Sequence, residues 1–181
     1  MKKIIFNFAL AIGLLAFTTA QAQNMSRYIT LTVKRGKAIK LDFAAASAGT
    51  PIRIVSGSNT QDITVGTSWY NGNWPSTYTV TAAASTMTIY GNLTGFNCSE
   101  NGANLTALDP SHNTQLTELY CSSNQLTSLD VSGCTQLKEL CCYRNNLNSL
   151  NVSGCTQLEE LHCYNNNFTT ATLDDIYCTL P

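Results

Sequence analysis

The chain has 181 residues, of which 44% are hydrophobic and only 12% charged, and its formal net charge is −1. That charged share is about half of the usual quarter, with Asn, Thr and Ser supplying the polarity instead. Phosphate attraction needs a cationic surface, so this balance argues against a nucleic-acid partner.

Lys2 and Lys3 precede an apolar stretch from Ile4 to Phe17, and Ala20-Gln21-Ala22 has the small-residue pattern that signal peptidase prefers. The expectation is a signal peptide over 1–22, cleaved after Ala22. No Cys follows the apolar run where a lipid anchor would attach. No later segment approaches the roughly 18 consecutive apolar residues of a membrane span, so no transmembrane segment is expected. The mature chain, from 23, is expected outside the cytoplasm, at the cell surface, in the periplasm or secreted.

Charge divides between the halves. Between residues 24 and 98 the basic residues Arg27, Lys34, Arg35, Lys37, Lys40 and Arg53 face only Asp42 and Asp62; beyond 98 only Lys138 and Arg144 face nine acids. The basic cluster from Arg27 to Lys40 reads as a solvated strand face.

From Tyr28 to Tyr90 the chain runs in short alternating stretches. They are Tyr28-Ile-Thr-Leu-Thr-Val33, Ile39-Lys-Leu41-Asp-Phe43, Ile52-Arg-Ile54-Val, Tyr78-Thr-Val80-Thr and Met87-Thr-Ile89-Tyr. Gly36, Gly49, Gly57, Gly66 and the stretch from Tyr70 to Pro75 separate them as turns, which predicts a small antiparallel sandwich over 23–90. Trp69, Tyr70 and Trp74 serve core or interdomain packing on base rates; the alternative is a sugar-stacking platform.

The second half repeats with a period of 21 residues. Leu116-Thr-Glu-Leu119-Tyr-Cys121-Ser-Ser-Asn124-Gln-Leu126 aligns with Leu137-Lys-Glu-Leu140-Cys-Cys142-Tyr-Arg-Asn145-Asn-Leu147 and with Leu158-Glu-Glu-Leu161-His-Cys163-Tyr-Asn-Asn166-Asn-Phe168. In a parallel coil each inward side chain meets its own copy about 4.8 Å away. Residues two apart on a strand share a face, so Cys98, Cys121, Cys142 and Cys163 follow the inward Leu column. Asn124, Asn145 and Asn166 stand where the chain leaves the strand, placed to satisfy backbone groups of the turn and the neighbouring coil. Upstream, Leu93-Thr-Gly-Phe96-Asn-Cys98-Ser-Glu-Asn101 begins the same pattern, but Leu105 and Leu108 arrive two residues late, which an insertion near Gly102-Ala103 accounts for. A degenerate first coil thus precedes three recognisable ones, with the 23–90 region as their N-terminal cap.

These repeats, over about residues 93–170, resemble the cysteine-ladder leucine-rich repeats of internalin-like bacterial surface proteins. The resemblance implies an extracellular adhesion or recognition role through the strand face. The fold class expected is mainly β: a small N-terminal sandwich-like domain, then a short solenoid over 91–181 with parallel strands, an irregular or 3-10 convex side and a short C-terminal tail.

Eight Cys in an exported chain ordinarily suggest a disulfide framework, but the period assigns four of them to the inward column. Cys134 and Cys155 form a second column within Ser-Gly-Cys-Thr-Gln, and Cys178 can reach Cys155 only if the chain end folds back. After Phe168 the repeat dissolves, with a short helix expected near Asp174; the last coil reads as poorly capped, as in a truncated copy.

The outward rows predict the binding face. One row is Glu118, Glu139 and Glu160, the next Tyr120, Cys141 and His162, the third Ser122, Tyr143 and Tyr164, followed by Arg144. Tyr and Arg are enriched at binding hot spots. Cys141 beside His162 invites thiol or metal chemistry, yet without a cleft, an oxyanion hole or a third ligand the pair reads as an exposed couple with no chemistry. No catalytic residues, metal or cofactor are expected, and no enzyme motif is present. The reading is a protein-binding or adhesion module; the alternative is a carbohydrate-binding or envelope-structural module.

Overall fold

A computed structural model of the chain describes residues 23–67 and 77–181. The expected signal peptide over 1–22 and the aromatic residues Trp69, Tyr70 and Trp74 lie outside the described residues.

Six strands precede the repeats. In β1 (Tyr28–Val33) alternation buries Ile29, Leu31 and Val33, and in β2 (Ala38–Ala44) it buries Ile39, Leu41 and Phe43, as a period of two requires when one face meets a core. β3 (Thr50–Ser56) adds Ile52 and Ile54. β4 (Asn59–Val65) has no apolar alternation and is nearly all exposed, so its sequence gives no sign of a strand. It forms because Gly57, at φ 59°, lets the chain reverse between Ser56 and Asn59. Arg53 then clasps Asp62 across the pair, Nε to Oδ1 at 2.7 Å and Nη2 to Oδ2 at 2.8 Å. β5 (Thr77–Thr81) contributes Val80, and β6 (Thr86–Tyr90) Met87 and Ile89.

The repeats supply strands of three residues, with one exception of five. They are β7 (Gly95–Asn97), β8 (Leu105–Asp109), β9 (Glu118–Tyr120), β10 (Ser128–Asp130), β11 (Glu139–Cys141), β12 (Ser149–Asn151) and β13 (Glu160–His162), forming a solenoid of about 3 turns. The helix α1 (Thr170–Thr179) follows. It begins four residues before the expected start, because Thr169 caps it by accepting from the Thr172 amide at 3.2 Å. Its Ile176 is buried.

Two sheets run from the first strands into the coils. The front sheet has the order β13-β11-β9-β7-β2-β5. Its coil strands are parallel, while β2 joins β7 antiparallel with Phe43 opposite Phe96. The five-stranded back sheet, β4-β3-β6-β1-β8, is antiparallel throughout and takes in the first coil through β1 against β8. One apolar core extends between these layers from Ile29 to Ile176. The convex side, expected to be irregular or 3-10, instead carries extended segments, with β10 and β12 paired in parallel and in register. Leu129 and Leu150 point inward there while their flanking residues stay exposed, which is strand alternation on a three-residue scale.

The two-residue insertion is accommodated at Gly102, whose φ is 54°. The extra turn brings Leu105 inward and frees β8 to run for five residues alongside β1.

Gly133 and Gly154 have a different reason to be glycine. A Cβ at Gly133 would stand 2.8 Å from the Ser111 carbonyl oxygen, and one at Gly154 would collide with the carbonyl of Ser132. Successive coils therefore touch backbone to backbone here. The same column in the first coil holds His112, whose ring stacks on Tyr28 at 4.3 Å.

Candidate functional site

The outer front face rests on a hydrogen-bonded seam of asparagines. Asn124 Nδ2 donates to the carbonyls of Cys98 and Cys121, both at 2.9 Å, while its Oδ1 accepts from the Asn101 amide at 3.0 Å. Asn145 repeats this with the carbonyls of Cys121 and Cys142 and the amide of Leu126. Asn166 does so with Cys142, Cys163 and the Leu147 amide. Asn101 is a further member: it donates to Cys98, and it holds Lys40 of β2 by both the amide and the carbonyl. The carboxamide suits this position because it offers donor and acceptor together.

The residue before each of these asparagines is left-handed: Glu100, Ser123, Arg144 and Asn165 have φ of 62°, 57°, 53° and 55°. Side chains other than Asn and Gly adopt this region at a cost, so the tight turn is held by the asparagine behind it.

Inside the seam, Cys98, Cys121 and Cys142 are fully buried and Cys163, in the last coil, is half-buried. Burial raises the thiol of each above its ordinary value. Cys134 donates to the Pro110 carbonyl at 3.6 Å and Cys155 to that of Val131 at 3.1 Å. Asn113 fills the equivalent place one coil earlier, its Nδ2 on the Gly91 carbonyl at 3.1 Å. All eight cysteines are unpaired. The pairing that a folded-back chain end would give Cys178 does not form: Cys178 is exposed on α1, and the Cys155 thiol is enclosed.

Strand register brings the outward rows together. Glu118, Glu139 and Glu160 are neighbours, as are Tyr120, Cys141 and His162. Desolvation, and then the charge of Glu139, push Glu118 up to about 7. Tyr120 is also raised, by burial and by its hydrogen bond to Glu139. In the third row the Tyr143 and Tyr164 rings stack face to face, 4.8 Å apart and 4° from parallel. Tyr164 is 56% exposed, and Arg144 is exposed beside it.

Two residues expected on the exposed face are not accessible. Ser122 is 3% exposed and Cys141 6%. Ser122 sits where the chain turns between flanking coils, with its amide on Ser99 Oγ. Cys141 has larger neighbours, Tyr120 and His162, on either side. The supposed lack of a third ligand is also corrected. Glu139 shares the face of Cys141 two residues earlier, and its Oε1 accepts from Sγ at 3.6 Å. Burial, Glu139 and Glu160 push the Cys141 thiol up to about 12, which removes the thiolate a nucleophile needs.

The face reaches further than the repeats. Asn97 pairs with Tyr120 on one side and Asp42 on the other, donating to Asp42 Oδ2 at 2.9 Å. Neither was among the expected site residues; the one signal for Asp42 is its polar place between the inward Leu41 and Phe43. Elsewhere, a groove of about 530 Å³ between β3, β4 and β5 is lined by uncharged residues such as Asn59, Gln61 and Thr79.

Residues 114–152 match the family model of leucine-rich repeats, as two copies. No curated protein and no solved structure matches the chain. Leucine-rich repeats generally mediate protein binding and are typically not enzymes. No helix among the described residues is long and apolar enough to cross a membrane.

Proposed function

We propose that the chain is exported and binds a protein partner through the outer face of its front sheet, as an adhesion or recognition module. The stacked Tyr143 and Tyr164 beside Arg144 support this most directly. A flat pair of partly exposed rings with an adjoining guanidinium offers large contact area at low entropy cost. The carboxylates of Glu118, Glu139 and Glu160 run next to it in register, favouring a partner with a basic patch.

Three coils alone would make a small footprint against the roughly 800 Å² per partner of a stable complex. The front sheet carries the face across β7, β2 and β5 as well, and six strands at about 4.8 Å spacing span roughly 24 Å.

The test is a screen of residues 23–181 against extracellular-matrix proteins and a glycan array, beside a Tyr143→Ala/Tyr164→Ala variant. Protein binding that the variant loses is the expected result. Glycan binding untouched by the variant would instead move function to the first half of the chain.

A further inference from the structure

We propose that Glu139, Cys141 and His162 form a binding site for a divalent cation of the zinc class on the outer front face. One ligand atom from each lies within 4.8 Å of the others, the single such cluster among the described residues. The arrangement follows from strand geometry. Glu139 and Cys141 share one face of β11, and register sets His162 of β13 directly opposite Cys141. Neither strand has to move for the three donors to meet.

The donor set is chemically selective. Thiolate, imidazole and carboxylate together suit zinc, whereas calcium and magnesium take oxygen alone. Bonds of about 2.0–2.3 Å to a tetrahedral ion place its donors roughly 3.3–3.8 Å apart. The Cys141 Sγ to Glu139 Oε1 distance is already 3.6 Å. His162, whose side chain is 46% accessible, has room to close the remaining gap by rotation about its own torsions. Glu160 Oε2 lies 3.5 Å from His162 Nε2 at the exposed rim of the cluster, a second carboxylate within reach as a fourth donor.

The local field favours a cation independently of the donor count. Three carboxylates stand in register across β9, β11 and β13, and the buried Oε2 of Glu118 has no hydrogen-bond partner. Coordination displaces the Cys141 thiol proton to solvent as the sulfur–metal bond forms. The site shares Glu139 with the carboxylate row of the protein-binding face but includes neither Tyr143 nor Tyr164, so the Tyr143→Ala/Tyr164→Ala variant tests that reading without removing a ligand.

Cobalt(II) is the probe, because a thiolate ligand gives it a charge-transfer absorption that nitrogen and oxygen donors do not. Titrating the reduced chain should give a saturable band at one equivalent, displaced by zinc. Cys141→Ser should abolish the band. His162→Gln, a change at an exposed side chain, should weaken cobalt binding by more than about 10-fold, a loss that even outer-shell changes reach. Cys178→Ser, which removes the most accessible thiol, should leave it intact. Circular dichroism of each variant checks that the coils are folded, and if Cys141→Ser is not, His162→Gln decides the result. Absence of a saturable band in the folded parent, or a band of undiminished affinity in His162→Gln, overturns the proposal.

Discussion

The front sheet is built in two ways. On its antiparallel side, β2 and β5 pair over five residues and β2 buries a run of large side chains, including Ile39, Leu41 and Phe43. On its parallel side each strand is three residues long, too short to define a sheet by its own backbone bonds. There the asparagine side chains extend the ladder, each binding two carbonyls and one amide around the strand end. The first region draws its order from burial spread over many residues, and the second concentrates it in a few repeated positions. The second should therefore be the more fragile to single changes at those positions.

Asn124→Ala is the strongest way to break that contrast. It leaves the Asn101 amide without its acceptor, at roughly 1–3 kcal/mol, and takes one of two donors from each of the Cys98 and Cys121 carbonyls, which keep Asn101 Nδ2 and Asn145 Nδ2, at about 0.5–1.5 kcal/mol for each lost bond. Urea unfolding should show a loss of about 3 kcal/mol or more, comparable with the roughly 2–5 kcal/mol expected for Ile29→Ala in the first region. Asn166→Ala removes the same kinds of bond at a half-buried position, where water can replace them, and should cost only about 1 kcal/mol. Equal losses for Asn124→Ala and Asn166→Ala would show that the seam does not act through burial.

Gly154→Ala probes the close approach of coils. The added methyl meets the Ser132 backbone, and overpacking of this kind costs about 1–3 kcal/mol. A glycine-to-alanine change at Gly36 meets open space and is opposed only by its φ of 78°, at about 1 kcal/mol. Thermal melts of the two variants should rank in that order.

The pH response locates the strain of the acidic row. Glu118 is raised in the folded chain from its ordinary value near 4.5 to about 7. A carboxyl raised on folding stabilises the fold below its unfolded pKa, and that stability is lost as pH rises through the folded value. Glu118→Gln keeps the neutral form throughout. Its melting temperature should exceed the parent's more at pH 8 than at pH 5, and a constant difference across that range would refute the assignment. The smallest effect is expected for Arg144→Asn. It relieves a left-handed residue at φ 53° and should stabilise by about 0.5–1 kcal/mol, read from the shift in urea midpoint at unchanged slope.

Repetition decided what the sequence made legible. A column that recurs every 21 residues announces its own geometry, so the inward Leu119, Leu140 and Leu161, the rows of the outer face and the turn at each Asn were readable without coordinates. Strands with apolar alternation, such as Tyr28–Val33, were equally plain. Features that occur once were not. β4 owes its place to a partner and to Arg53 rather than to its own residues. The depth of Cys141 and Ser122 depends on how far neighbouring side chains lean over them, and the reach of Glu139 to Cys141 depends on a rotamer. The pairing of β2 with β7 joins residues 42–44 to 95–97, and no local pattern in either segment specifies the other.

The side-chain amides have a direction. Asn124, Asn145 and Asn166 each reach back to the coil made before them, and Asn101 reaches back to Lys40. None of them reaches forward for its amide acceptors or donors. Each new turn can thus be fastened as soon as it appears, using a template already complete, and the molecule can be assembled in the order in which a ribosome delivers it.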